Sequence, residues 1–165
     1  MCDREGQFAN PLAITASRCV IVEVGTELAA PPERVWETVK KVDTLRYLTR
    51  GVLGFRPLGA VPDRLQAGDV IRVRLIFFHV LPGWSHEIRI VKLDEEGRRI
   101  ETAEGGGAVR TWNHVIAVDP AGDGRTRYSD RIEIEAGPLT PLVAGYAHLF
   151  YRYRQRRWRR LARTL

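Results

Sequence analysis

The strongest constraint on the fold is a double change of hydrophobic period along the chain. Over residues 53–135 apolar residues recur mostly at every second position, the spacing of strands with one buried face. After Pro138 they recur at every third and fourth, the spacing of a helix. Leu139, Leu142, Val143, Tyr146, Leu149, Phe150, Tyr153 and Leu161 form one long stripe, which predicts a C-terminal helix with that stripe turned inward. Six strands are predicted before it, over residues 53–58, 69–78, 85–93, 98–104, 110–118 and 125–135, parted by LPG, DEEG, GGG and DPAGDG. Spacers this short join hairpins, so neighbouring strands run antiparallel.

Upstream, the Val- and Ile-rich residues 19–28 read as a further strand. PPERVWETVKKV then puts proline in a first turn, Glu33 at the positive end of a helix dipole, and Val35, Trp36 and Val39 on one face, predicting a short helix. DTLRYLTR predicts a second, with Asp43 as its cap, Leu45 and Leu48 as its stripe and Gly51 as its stop. The fold class is therefore α+β: one strand, two short helices, about six more antiparallel strands and a long helix. Only that last helix can cover the apolar face of the sheet, and such a pairing can enclose a cavity.

A chain of 165 residues fits one domain, and 44% hydrophobic with 28% charged residues suits a globular protein rather than a disordered or fibrous one. Residues 1–16 read as a loosely held arm and 17–165 as a single domain. No stretch approaches the roughly 18 apolar residues of a membrane span or has the make-up of a signal peptide, so a soluble, cytoplasmic protein is expected. Cys2 and Cys19 lie in no CxxC or Cys/His cluster and are expected to be free thiols.

The net charge of +6 is concentrated in the tail YRYRQRRWRRLARTL. There Arg152, Arg156, Arg159 and Arg163 form one helical row, the ordinary solvated face of a packed helix. The same row suits an anionic membrane surface, whereas a nucleic-acid partner is not expected.

The stretch RTWNHVIAVDPAGDGRTRYSDRIEIEAG carries polar residues on the face that should be apolar. Residues two apart share a face, so Trp112, His114, Ile116 and Val118 join Tyr128, Asp130, Ile132 and Ile134, while Asn113, Arg127, Ser129, Arg131 and Glu133 point the other way. A turn centred near Ala121 and Gly122 places His114 opposite Asp130 and Trp112 opposite Ile132. A buried carboxylate needs a partner, and an imidazole supplies a charge-assisted hydrogen bond. Three roles stay open for the pair: fixing hairpin register, orienting a polar group of a ligand, or acid–base catalysis, for which His114 and Asp130 are the candidates.

His86 shares a face with Ile88 and Ile90 and points either inward or to water at its strand end; His79 is expected at the rim. The spacing of His86, His114 and Asp130 matches no metal motif, and neither metal nor cofactor is expected. EGGGAV lacks the Lys-Ser/Thr pair and following helix of a phosphate loop and reads as a flexible hairpin or bulge. Ser85, Ser129 and the cysteines sit in no nucleophile arrangement.

AAPPERVWETVKKVD resembles the opening of the START-like, Bet v 1-like helix-grip proteins, the SRPBCC group that includes polyketide cyclases and lipid-transfer proteins. GDVIRVRL, PGWSHEIRIVKLDEE, RTWNHVIAV, GRTRYSDRIEIEAG and LFYRYRQRRWRRL are similar to a bacterial ligand-binding subgroup, so the resemblance spans roughly residues 19–165. It implies a curved antiparallel sheet of about seven strands wrapped on the long C-terminal helix. It also implies a cavity for a hydrophobic small molecule such as a sterol, lipid, quinone or polyketide. Some members are enzymes, so a polyketide cyclase or dehydratase in which His114 or Tyr146 exchanges protons is the alternative to binding alone. An interaction module acting through the basic tail is the third reading, and it needs no cavity.

On the helix-grip plan the cavity wall is expected from Trp36, Phe55, Ile71, Val73, Leu75, Ile88, Ile90, Trp112, Ile132, Leu142, Tyr146, Leu149 and Tyr153. His86, His114 and Asp130 are its expected polar groups, with Arg157, below Tyr153 on the stripe, at its mouth.

Overall fold

The computed structural model describes residues 19–165 apart from His79 and Ala108. The arm expected over residues 1–16, Cys2 and the rim position foreseen for His79 lie outside the described residues. The elements run β1 (Val20–Leu28), α1 (Pro32–Val39), α2 (Val42–Thr49), β2 (Leu53–Pro57), β3 (Val70–Phe77), β4 (Leu81–Asp94), β5 (Arg99–Gly106), β6 (Val109–Pro120), β7 (Thr126–Glu135), a 3-10 turn (Gly137–Leu139) and α3 (Thr140–Ala162). The strands form one curved antiparallel sheet in the order β1-β7-β6-β5-β4-β3-β2, so every sequential neighbour from β2 to β7 is a hairpin and β1 closes beside β7. This is the α+β order that the change of period predicts, in the sheet-and-helix arrangement that the helix-grip resemblance implies.

Local departures from expectation have local causes. Asp43 does not cap α2: the helix begins at Val42 after Lys41 with no side-chain cap, and the Asp43 carboxylate lies in the first turn, 3.0 Å from Arg46 Nη1. LPG is not a spacer but the start of β4, because the pairing of β3 and β4 shifts between Arg74 and Ile76. Cys19 is disulfide-bonded, which corrects the expectation of a free thiol there.

The β6–β7 hairpin turns about Asp123, in a left-handed conformation with φ 49°, between Pro120 and Thr126. The turn is thus later than expected, and His114 faces Ile132 while Asp130 faces Ile116. The pairing slips by two residues, which preserves the side of the sheet for every side chain, as a slip of one would not.

The phase of α3 also differs from expectation. Its buried positions are Thr140, Ala144, Ala147, Phe150, Tyr151, Arg154, Gln155, Trp158 and Ala162, whereas Leu142 and Leu149 of the expected stripe are 73% and 71% exposed and Leu139 is 48% exposed. The small Ala144 and Ala147 let the helix lie close to the sheet. It packs chiefly on the edge strand β1 and less on β7, covering an edge that would otherwise be free to pair. Two apolar cores result. One joins β1, β3 and β7 to Ala144, Ala147, Phe150 and Tyr151; the other joins α1, Leu48 and the far ends of β4 to β7 to Trp158 and Ala162. No helix among the described residues is long and apolar enough to cross a membrane.

The GGG segment forms an irregular end to the β5–β6 hairpin, with a register shift between Glu104 and Gly106. A Cβ on Gly106 would lie 2.3 Å from the Ser85 carbonyl oxygen, so this glycine is what lets the hairpin close onto β4. Replacing Gly106 with alanine should therefore cost about 2 kcal/mol or more in urea unfolding. Gly59→Ala, where an added Cβ meets nothing within 4 Å, should stay within about 0.5 kcal/mol of wild type.

Candidate functional site

Alternation carries polar side chains onto the concave face. Ile88 pairs with Glu104 and Glu104 with Trp112; Thr102 pairs with His114 and Ile116 with Asp130. All of these point toward α3. Thr102 and His114 are direct neighbours, while His86 and Glu104, Glu104 and His114, and His114 and Asp130 are diagonal ones, a separation that long side chains bridge, and together they join into a seam across four strands. His86 Nε2 lies 3.1 Å from Glu104 Oε2, and Thr102 Oγ1 donates to Glu104 Oε1 at 2.7 Å. His114 sits between the two carboxylates, its Nε2 2.9 Å from Asp130 Oδ1 and its Nδ1 4.0 Å from Glu104 Oε1.

The helix completes the seam. Asp130, with no exposed surface, also accepts from Tyr128 OH at 3.2 Å and from Gln155 Nε2 at 3.4 Å, while the same Gln155 amide donates to the Val24 carbonyl at 2.7 Å. Arg154 is buried beside it, its guanidinium 4.8 Å from the centre of the Tyr151 ring. Tyr151 in turn meets the His114 imidazole edge-on at 4.9 Å and accepts a long hydrogen bond from Trp112 Nε1 at 3.4 Å.

Charge is balanced inside this seam. Burial pushes both carboxyls up, yet the Arg154 charge and the His114 hydrogen bond hold Asp130 below its ordinary value. For Glu104 burial is likewise outweighed, by the hydrogen bond from His86, the two imidazoles and Thr102. Burial also lowers the guanidinium of Arg154, but Asp130, Tyr128, Tyr151 and Glu104 more than reverse this, so Arg154 is a fixed cation. Burial alone pushes the Tyr146 phenol up to about 12, and it remains protonated throughout the physiological range.

Next to the seam, the sheet and α3 enclose a cavity of about 530 Å³. It lies where β2 to β6 curl away from a helix anchored on β1. Of the expected wall, Phe55, Ile71, Val73, Leu75, His86, Ile88, Ile90, Trp112, His114, Leu142 and Tyr146 line it. Six residues lie elsewhere. Asp130 and Ile132 are sealed beneath, with no exposed surface. Trp36 belongs to the far core and hydrogen-bonds Glu95 through its indole N–H. Leu149 faces outward. Tyr153 donates to the Arg50 carbonyl, and Arg157 stacks 4.3 Å over the Tyr47 ring and hydrogen-bonds Tyr153, so it does not reach the mouth. Exposed lining residues from α2 (Arg46), β2 (Pro57), the β3–β4 turn (Phe78) and α3 (Leu142) mark that mouth instead.

The sequence reading missed Thr102, Glu104, Tyr151, Arg154 and Gln155. Strand parity with Ile100 was a signal for the first two. For Arg154 and Gln155 the signal was the spacing of Ala144, Ala147, Tyr151, Trp158 and Ala162, which brackets them on one helical face. Among the described residues no group of three or more His, Cys, Asp or Glu is arranged to hold a metal ion.

Residues 26–164 match the family described as Domain of unknown function (DUF8410). No curated protein matches the chain. Solved structures share its fold at low identity. A START superfamily protein from Mycobacterium smegmatis is 15% identical with a TM-score of 0.68, over 87% of this chain and 97% of that one. The Zhui aromatase/cyclase from Streptomyces sp. R1128 is 17% identical with a TM-score of 0.66, over 88% and 94%. A truncated norcoclaurine synthase from Thalictrum flavum is 16% identical with a TM-score of 0.62, over 87% and 95%. These likenesses show the helix-grip fold of START-like and Bet v 1-like proteins.

Because Asp130 and Glu104 are held below their ordinary values, their contributions to stability are fully present above the unfolded carboxylate values, about 4, and are lost as pH falls through the lower folded ones. Asp130→Ala, which strands His114, Arg154 and Gln155, should cost about 3–5 kcal/mol in urea unfolding at neutral pH. Asp130→Asn should cost less, and its deficit against wild type should shrink as pH falls below about 4. A deficit independent of pH would show that the folded carboxyl is not held ionised.

Proposed function

The chain belongs to the DUF8410 family and has a helix-grip fold, and on that premise we propose that it binds a hydrophobic small molecule, such as a lipid, quinone or polyketide, between the sheet and α3. Residues 17–165 would act as one binding domain. The observation that carries this reading is the cavity itself, with apolar walls from β2 to β4, α2 and α3 and one polar end at the seam. Packed interiors leave few voids larger than a water molecule, whereas about 530 Å³ is the size of a small-molecule site. The START superfamily and aromatase/cyclase neighbours support the same reading through their shared architecture.

The wall residues Phe55, Ile71, Val73, Leu75, Ile88 and Ile90 would hold the apolar body, while His86, His114 and Tyr146 meet its polar group. Asp130 would act from behind the wall by holding His114 in place. Tyr146 is central to this arrangement, stacked at 5.7 Å on Phe150 and edge-on to Phe77 at 6.3 Å. A separate feature supports a delivery surface: Arg152, Arg156, Arg159 and Arg163 are all exposed on a helix without a single acidic residue. That row suits the anionic face of a membrane from which a cytoplasmic binding protein would collect or return an apolar ligand.

Tyr146→Trp adds volume where the cavity can absorb it. It should weaken uptake of the neutral fluorophore N-phenyl-1-naphthylamine about fivefold or more while leaving the melting temperature nearly unchanged. A large fall in melting temperature, with no probe binding by the wild type, would identify the region as ordinary core. Co-sedimentation with phosphatidylserine vesicles should be strong at low salt and fade as salt is raised, with none on phosphatidylcholine. Equal association with both lipids would remove the membrane role.

A further inference from the structure

The seam leaves two hydrogen-bonding atoms of the cavity wall bare, the donor Nε of Arg154 and Nδ1 of His86. An ionised carboxylate only accepts, so the His86 Nε2 beside Glu104 Oε2 carries the proton of that hydrogen bond, and an imidazole whose one proton sits there holds its free lone pair on Nδ1. Nδ1 is buried and has no partner among the described residues, on a side chain that is 10% exposed and lines the cavity. Glu104 is not itself open to a ligand. Its Oε2 is engaged by His86 and its Oε1 by Thr102, with His114 at 4.0 Å. Arg154 is countered by Asp130 and Glu104, so the site does not call for an anion.

A third wall atom is also unpartnered, the Tyr146 hydroxyl, and its high value keeps it a donor. The cavity therefore offers one acceptor, His86 Nδ1, and two donors, the Tyr146 hydroxyl and Arg154 Nε, within a largely apolar lining. A carboxylate or an ether satisfies only donors, and a hydrocarbon satisfies no polar atom of the wall. A hydroxyl group satisfies the acceptor and a donor together, and an unmet buried acceptor costs more than a made hydrogen bond gains.

We infer that the ligand of this cavity presents an alcohol or phenol O–H that donates to His86 Nδ1, an inference that rests on the binding role proposed above. Thr102 and Glu104 are positioning residues: they fix the imidazole so that its lone pair, and not its N–H, meets the ligand. The site would thus prefer hydroxylated apolar molecules over their ethers or parent hydrocarbons.

Two probes of one ring system test this, 2-naphthol and 2-methoxynaphthalene, the second of which cannot donate. Titration calorimetry on the wild-type protein should show 2-naphthol binding about tenfold tighter. His86→Phe should erase that ratio while 2-methoxynaphthalene still binds within about threefold of its wild-type affinity. Tyr146→Phe should weaken both probes alike, since either oxygen accepts from the phenol. Equal wild-type affinities overturn the inference and leave hydrophobic binding standing; no binding of either probe overturns the binding role and this inference together. The wild-type comparison decides the matter even if His86→Phe fails to fold.

Discussion

The structure depends on a carboxylate with no access to water. An unpaired buried charge would cost several kcal/mol, so Asp130 is tolerable only because Arg154, His114, Tyr128 and Gln155 converge on it. Those partners come from three elements, β6, β7 and α3, and Gln155 adds a bond to the β1 backbone. Satisfying one charge therefore fixes the rotation and height of the C-terminal helix over the sheet. An apolar replacement could fill the same space, but it would not select one helical phase over its neighbours, which is the specific contribution of a polar layer between two apolar cores.

The cavity follows from that placement. A helix centred over the sheet would bury the whole concave face, but α3 is tied to the β1 edge by Gln155 and by the close approach of Ala144 and Ala147. The inner faces of β2 to β6 are left to curve around empty space, roofed by Tyr146, Phe150 and Tyr151 and floored by Ile90 and Ile116 of the far core. The polar seam runs along one end of this space. The same residues that anchor the helix thus leave His86 and Tyr146 on the cavity wall.

Most of the fold was legible because hydrophobic period is a local property. Strand parity put Trp112, His114 and Asp130 on the inner face, and it survived a misplaced turn because the slip was two residues. The phase of α3 was not legible in the same way. Counting apolar residues gave weight to Leu149, which faces solvent, and to Leu142, which stands at the exposed mouth of the cavity, and treated Arg154 as one more member of the basic tail. Beside Phe150, Tyr151 and Trp158 the inner face carries small residues and polar ones whose partners lie far away in sequence, and single-residue hydrophobicity cannot register such pairs. Glu104 was passed over for a related reason: at the end of a strand, beside three glycines, a charged residue reads as solvated until His86 and His114 are brought to it from two other strands. Arg157 shows the converse, an apolar-stripe position whose side chain is captured outside by Tyr47 and Tyr153.

The central claim is that the concave face is a binding cavity rather than core, and methyl-resolved NMR tests it most directly. With Ile, Leu and Val methyl groups labelled, titration with N-phenyl-1-naphthylamine should move the signals of Ile71, Val73, Leu75 and Ile88 together, along one saturating curve, while exposed Leu149 stays still. Shifts confined to exposed methyl groups such as Leu149, with the inner four unmoved at saturation, would contradict the account.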